Sequence, residues 1–117
     1  MATRKKYQII ATAFDKRGRP LGTSQNQYNR SHPIQKHFSI KAGLSDERIY
    51  LHAEVGAILQ AGKRNIDSVF VQRFHNNGDM ANAHPCPSCC EALKAFGVRL
   101  VRYTDSDGIK EKLVEEL

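Results

Sequence analysis

The sequence holds only three cysteines, Cys86, Cys89 and Cys90, and all fall within one short stretch. An odd number so closely spaced cannot build a disulfide framework, so the thiols point to metal or redox chemistry in a reducing compartment. No apolar run reaches the roughly 20 residues that span a bilayer, so no membrane partner is expected. The apolar segment Tyr7-Gln8-Ile9-Ile10-Ala11 behind the basic N-terminus is short and lacks a small-residue cleavage site. It is not read as a signal peptide, and the expected location is cytoplasmic. Aromatic residues make up 8% of the chain and do not alternate with a Lys/Arg block. That excludes an evident single-strand nucleic-acid platform, which stacks bases on aromatic rings. Internal repeats, low-complexity tracts and linkers are also missing. A chain of 117 residues without them is expected to form one domain, residues 1–117, around a single core.

What is present begins with charge. Eighteen basic and twelve acidic residues give a net +6. An excess of that sign favours anionic or phosphorylated partners, though it also serves solubility alone. Local patterns then set the expected elements. Tyr7 to Phe14 reads as a strand, Asp15 to Pro20 as a turn and Leu21 to Asn26 as the returning strand of a hairpin. Ser31-His32-Pro33 resembles a helix start, and Gly43 a helix end. A second helix is expected from about Leu51 to Ala61, stopped by Gly62. Its residues Leu51, Val55, Ile58 and Leu59 form an apolar stripe that also contains Glu54. A carboxylate on such a stripe is costly to bury and therefore informative. Ser68 to His75 reads as a strand, with a turn at Asn76–Asp79. A third helix starts near Cys86, with Pro87 at its first position and Cys89, Ala92, Leu93 and Phe96 facing inward. Val98 to Tyr103 is a further strand, and Ile109 to Leu117 a terminal helix. The strand–helix–strand order in the C-terminal half implies a parallel pair covered by helices.

Two short runs carry the chemistry: His52-Ala53-Glu54 and Pro85-Cys86-Pro87-Ser88-Cys89. Zinc binds imidazole and thiolate well, and a catalytic zinc keeps one of four positions open. His52, Cys86 and Cys89 supply three ligands. The first turn of a helix carries unpaired N–H groups and the positive end of its dipole, which favour a thiolate there. Two thiolates and a neutral imidazole balance the +2 ion, which lowers the pKa of water at its open position. Glu54 remains as the acid/base, its pKa raised by apolar surroundings. Residues two apart diverge on an ideal helix, so His52 and Glu54 share one site only if both lie at the helix end. A structural zinc site would need a fourth protein ligand, for which Cys90 or His84 is available. Otherwise Cys90 reads as core or bystander. A thioredoxin-like pair would follow the first strand of a βαβ unit, whereas this one comes late.

The H-x-E and P-C-x-x-C runs resemble the signature of the cytidine deaminase-like superfamily. The resemblance spans roughly Tyr7 to Tyr103. It implies a three-layer α/β/α fold with a mixed sheet, its first hairpin antiparallel and its later strands parallel. It implies Zn2+ on His52, Cys86 and Cys89, with Glu54 as the proton carrier. It also implies substrate contacts from Asn26, Ala53, His84 and Tyr103, with Asn29 a rival to Asn26. The stretch Asn26 to Pro33 is similar to small deaminase-like proteins encoded by bacteriophages. Three departures stand out: no helix precedes the first strand, one is inserted between Asn26 and His52, and no fifth strand follows Tyr103. The expected activity is hydrolytic deamination of a cytosine nucleoside or nucleotide, deoxycytidylate favoured. Arg30, Lys36 and Arg73 are candidates for a phosphate contact. Two alternatives stand beside it: action on a base within single-stranded DNA or RNA, and a non-catalytic zinc-stabilised binding module. The expected partners are a small-molecule substrate, nucleic acid as a further possibility, and other copies of the chain in a homo-oligomer.

Overall fold

In a computed structural model, residues 8–26, 33–43, 52–63, 65–75 and 77–117 are described. They form a six-stranded sheet and three helices. The first hairpin pairs β1 (Gln8–Phe14) with β2 (Pro20–Gln25), antiparallel. Helix α1 (Pro33–Lys41) and helix α2 (Ala53–Gln60) follow. Strand β3 (Ser68–Phe74) pairs antiparallel with β1 on one side and parallel with β5 (Leu100–Asp105) on the other. A two-residue strand, β4 (Met80–Ala81), extends β3, and α3 (Pro87–Ala95) crosses from there to β5. The mixed sheet, antiparallel at its first hairpin and parallel between β3 and β5, is of the expected class.

One face of the sheet carries the core. Strand residues point alternately to opposite faces. Ala11 and Ala13 lie beside Val71 and Val69, and these beside Tyr103 and Val101. All six are buried, and they cluster with Phe38 of α1, with Val55 and Ile58 of α2 and with Leu93 of α3. The alternate residues Ile10, Thr12, Phe14, Phe70 and Gln72 face the other way and are half-buried. Helix α2 is buried from Ala53 through Ile58, on all sides rather than along one stripe. Strand β2 approaches the end of this helix closely at Gly22, which lies against the Gln60–Ala61 backbone. Gly62 ends the helix at φ +79°, the left-handed conformation that glycine adopts without penalty. Leu51 and the capping Ser31 lie outside the described residues.

The C-terminal segment corrects the expectation. Residues 108–113 form a strand, β6 (Gly108–Leu113), antiparallel to β5, and only Val114–Glu116 turn into a short 3-10 helix. Lys110-Glu111-Lys112 resembles a helix surface in composition. Pairing with the open edge of β5 decides otherwise, matching Leu100 with Leu113 and Arg102 with Glu111. The Arg102–Glu111 ion pair, at 2.9 Å, exists only in that register. Gly108 at φ +140° closes the two-residue loop. Strand β5 also starts at Leu100 rather than Val98. The Val98 N–H closes α3 onto Leu93, and the N–H groups of Arg99 and Leu100 bond to the Asp67 carbonyl. Among the described residues no helix is long and apolar enough to cross a membrane.

Candidate metal centre

Two helix starts meet beyond the end of β3. His52 is the N-cap of α2 and Cys86 the N-cap of α3, both with extended backbone (ψ 156° and 166°). Each cap carbonyl accepts the first helical hydrogen bond, from Gly56 and Cys90 respectively. Pro87 occupies the first turn of α3, where no N–H partner is lost. The extended cap at His52 answers the geometric objection to the H-x-E run. The imidazole is outside the helical rotation, while Glu54 is already within the first turn.

His52 Nδ1 lies 3.4 Å from Cys86 Sγ and 3.3 Å from Cys89 Sγ. All three donor atoms lie within 4.8 Å of one another. With zinc–sulfur and zinc–nitrogen bonds of ~2.3 and ~2.05 Å, a tetrahedral ion needs N···S edges of about 3.5 Å. The donor set therefore fits zinc in both chemistry and spacing. It also lacks a fourth member among the described residues. Cys90 is half-buried with its thiol directed at the Pro85 carbonyl, and His84 Nδ1 is directed at the same carbonyl. Three protein ligands suit an ion with one position open, not a closed structural site.

Protonation within the cluster is shared. The Cys86 thiol is held down to about 4 by a hydrogen bond from the Cys89 thiol, aided by His52. Cys89 is pushed up because it donates that bond and is buried. The arrangement thus favours thiolate at Cys86 beside the imidazole, and thiolate is the form that binds metal. Glu54 is 6% exposed. Burial raises its pKa, and the Cys86 charge raises it further. A carboxyl tuned upward next to a metal-ligand cluster has the properties of a proton carrier.

The other expected site residues are placed less uniformly. Ala53 is fully buried as the first residue of α2. His84 is exposed and stands edge-on against the buried Tyr103 ring, with centroids 5.1 Å apart. Asn26 follows β2 directly, where its Oδ1 accepts the Ile9 N–H at 3.2 Å. Asn29 and Arg30 lie outside the described residues. Lys36 is exposed on α1, and the Arg73 guanidinium donates to the Asn82 carbonyl. The segment before Cys86 is braced by Thr104, which sequence reading missed. Its hydroxyl donates to the Ala81 carbonyl and accepts the Arg73 N–H, while its carbonyl accepts the Ala83 N–H. A lone threonine late in a strand carries no signal of such a role.

Comparison with known families agrees with this geometry. A family model described as the cytidine and deoxycytidylate deaminase zinc-binding region matches residues 1–104. That span holds His52, Glu54, Cys86 and Cys89 and closes within β5. No curated protein matches the chain.

Proposed function

As a member of the cytidine and deoxycytidylate deaminase zinc-binding family, this chain is a zinc-dependent deaminase, and we propose that its substrate is a cytosine nucleoside or nucleotide, deoxycytidylate foremost. The observation that carries the reading is a buried carboxyl, Glu54, set beside a three-ligand cluster with no fourth protein ligand among the described residues. Zinc held by His52, Cys86 and Cys89 supplies Lewis-acid activation of water at neutral pH. Glu54 takes the proton from the attacking water and delivers it to the ring nitrogen beside C4. It then helps protonate the departing amine. Water enters, ammonia leaves, and cytosine becomes uracil. Ala53 at the start of α2 and His84, edge-on against Tyr103, are the residues we assign to contact the base.

A monomeric substrate is favoured because aromatic residues with alternating cationic neighbours are missing from the sequence. Net charge +6 is compatible with a nucleotide phosphate. An ammonia-release screen of the zinc-loaded protein tests this reading. The panel is deoxycytidylate, deoxycytidine, cytidine, adenosine, guanine and single-stranded oligonucleotides. Turnover of a cytosine monomer is the expected result. Turnover confined to oligonucleotides, with steep salt dependence, would move the substrate class to polymers. Release of ammonia from no cytosine compound would reject the proposal.

A further inference from the structure

Helix α1, the segment inserted between the first hairpin and the metal-ligand helices, carries two polar side chains with no exposure, Gln35 and Ser39. A third, Ser88, is buried equally deeply in α3. Buried polar groups are costly unless each finds a partner. Here the partners identify the purpose. Gln35 Oε1 accepts the backbone N–H of His52 at 3.1 Å. Gln35 Nε2 donates to Ser88 Oγ at 2.8 Å, and Ser88 Oγ lies 3.1 Å from Ser39 Oγ. The amide orientation is fixed by this arrangement. A backbone N–H only donates, so the oxygen must face His52 and the NH2 must face Ser88. Ser88 sits between Cys86 and Cys89. One side-chain amide thus ties the residue that bears the imidazole to the turn that bears both sulfurs.

We propose that Gln35 is a positioning residue for the metal centre, a strut from α1 that holds the two halves of the ligand set at their common spacing. The proposal rests on the reading of His52, Cys86 and Cys89 as zinc ligands. The strut has a firm base. Phe38, one turn along α1, is buried and packs edge-on against Phe96, the C-cap of α3, with centroids 5.8 Å apart. The outer face of α1, Lys36, His37 and Ile40, is exposed. His52 and the Cys86–Cys89 turn belong to the starts of two different helices, α2 and α3. Without the amide, each turn is free to adjust independently, and the N···S distances that match zinc are no longer imposed before the ion arrives. Groups that orient ligands in this way typically contribute roughly 10–100-fold in metal affinity or activity.

Two substitutions test the inference. Gln35→Met keeps the length and bulk of the side chain and removes both amide bonds. Ser88→Ala removes one hydroxyl oxygen and decides the matter alone if the first variant does not fold. The first readout is hydrogen exchange of the His52 amide in the zinc-free protein, expected to accelerate in Gln35→Met while amides within β3 and β5 are unaffected. The second is the zinc dissociation constant from competition with a chromophoric chelator, expected to rise roughly 10–100-fold in Gln35→Met and less in Ser88→Ala. The third is the visible spectrum of the cobalt(II)-loaded protein, whose ligand-field bands are expected to shift. Zinc affinity and cobalt spectra identical to wild type in the folded variants would overturn the strut and leave the metal centre standing. Failure of the wild-type protein to take up zinc would overturn both.

Discussion

Replacing Glu54 by Gln exchanges one carboxyl oxygen for an amide nitrogen and leaves the volume of the side chain unchanged. The surrounding residues Ala53 and Val55 to Ile58 are buried, so a smaller replacement would open a cavity, and Gln does not. The three metal-ligand atoms are untouched. On the role proposed for Glu54, proton transfer is lost. General acid–base catalysis contributes about 10²–10⁴ in rate, which at about 1.36 kcal/mol per tenfold is ~2.7–5.4 kcal/mol of barrier. Stability should move the other way. Burial raises the Glu54 pKa above its unfolded value of about 4.3. Across the interval between the unfolded and folded values, the native state binds more protons, so stability falls as pH rises. A glutamine does not have that dependence. The zinc-free variant is therefore expected to match wild type at acid pH and to be at least as stable at neutral pH. Ammonia release, zinc per chain and thermal melts from pH 4 to 8 together read the outcome. The account expects a stable, zinc-loaded, inactive protein. A variant that keeps near-wild-type turnover, or that loses its zinc along with its activity, would refute the assignment of Glu54 as proton carrier.

Two further predictions concern the frame around the site. Gly22 of β2 faces the end of α2, where an added Cβ would stand 2.7 Å from the Ala61 nitrogen and 2.8 Å from the Gln60 backbone carbon. Backbone cannot yield as a side chain does, so Gly22→Ala should destabilise by roughly 1–3 kcal/mol in denaturant melts; an unchanged midpoint would contradict the close approach. Asp67 joins Arg99 through two parallel bonds of 3.0 Å, and those bonds hold its carboxyl below the ordinary range. Asp67→Asn should lower stability slightly at pH 7, the loss being limited by the solvent exposure of Arg99. Because the folded pKa is depressed, the wild-type advantage is full above the unfolded value of about 3.9 and fades as pH falls through the folded one. A gap that persists unchanged into strong acid would show that the ion pair is not its source.

The ligand set was legible because its signals are local. Pro87 marks the first turn of a helix, Cys86 and Cys89 are three apart, and the H-x-E run opens the preceding helix. Each of these facts is visible within a few residues. The hairpin, the parallel pair and the glycine stops were legible for the same reason. What was not legible depends on partners far along the chain. Gln35 reads as an ordinary residue of a short helix until His52 and Ser88 are brought to it, 17 and 53 residues away. Thr104 has no signal until Ala81 and Arg73 reach it. Strand β6 is a sharper case. Lys110-Glu111-Lys112 has helical composition, and only the vacant edge of β5 makes it a strand, so tertiary pairing overrides local preference. Strand β4 is two residues long, below any periodicity.

The central claim is tested most directly by zinc K-edge X-ray absorption on the purified protein with its metal content measured alongside. The account predicts one zinc per chain, with two sulfurs at ~2.3 Å, one imidazole nitrogen at ~2.0 Å and one further light-atom ligand from solvent. A shell of three sulfurs, a second imidazole, or a protein that carries no zinc after growth in zinc-replete medium would contradict it.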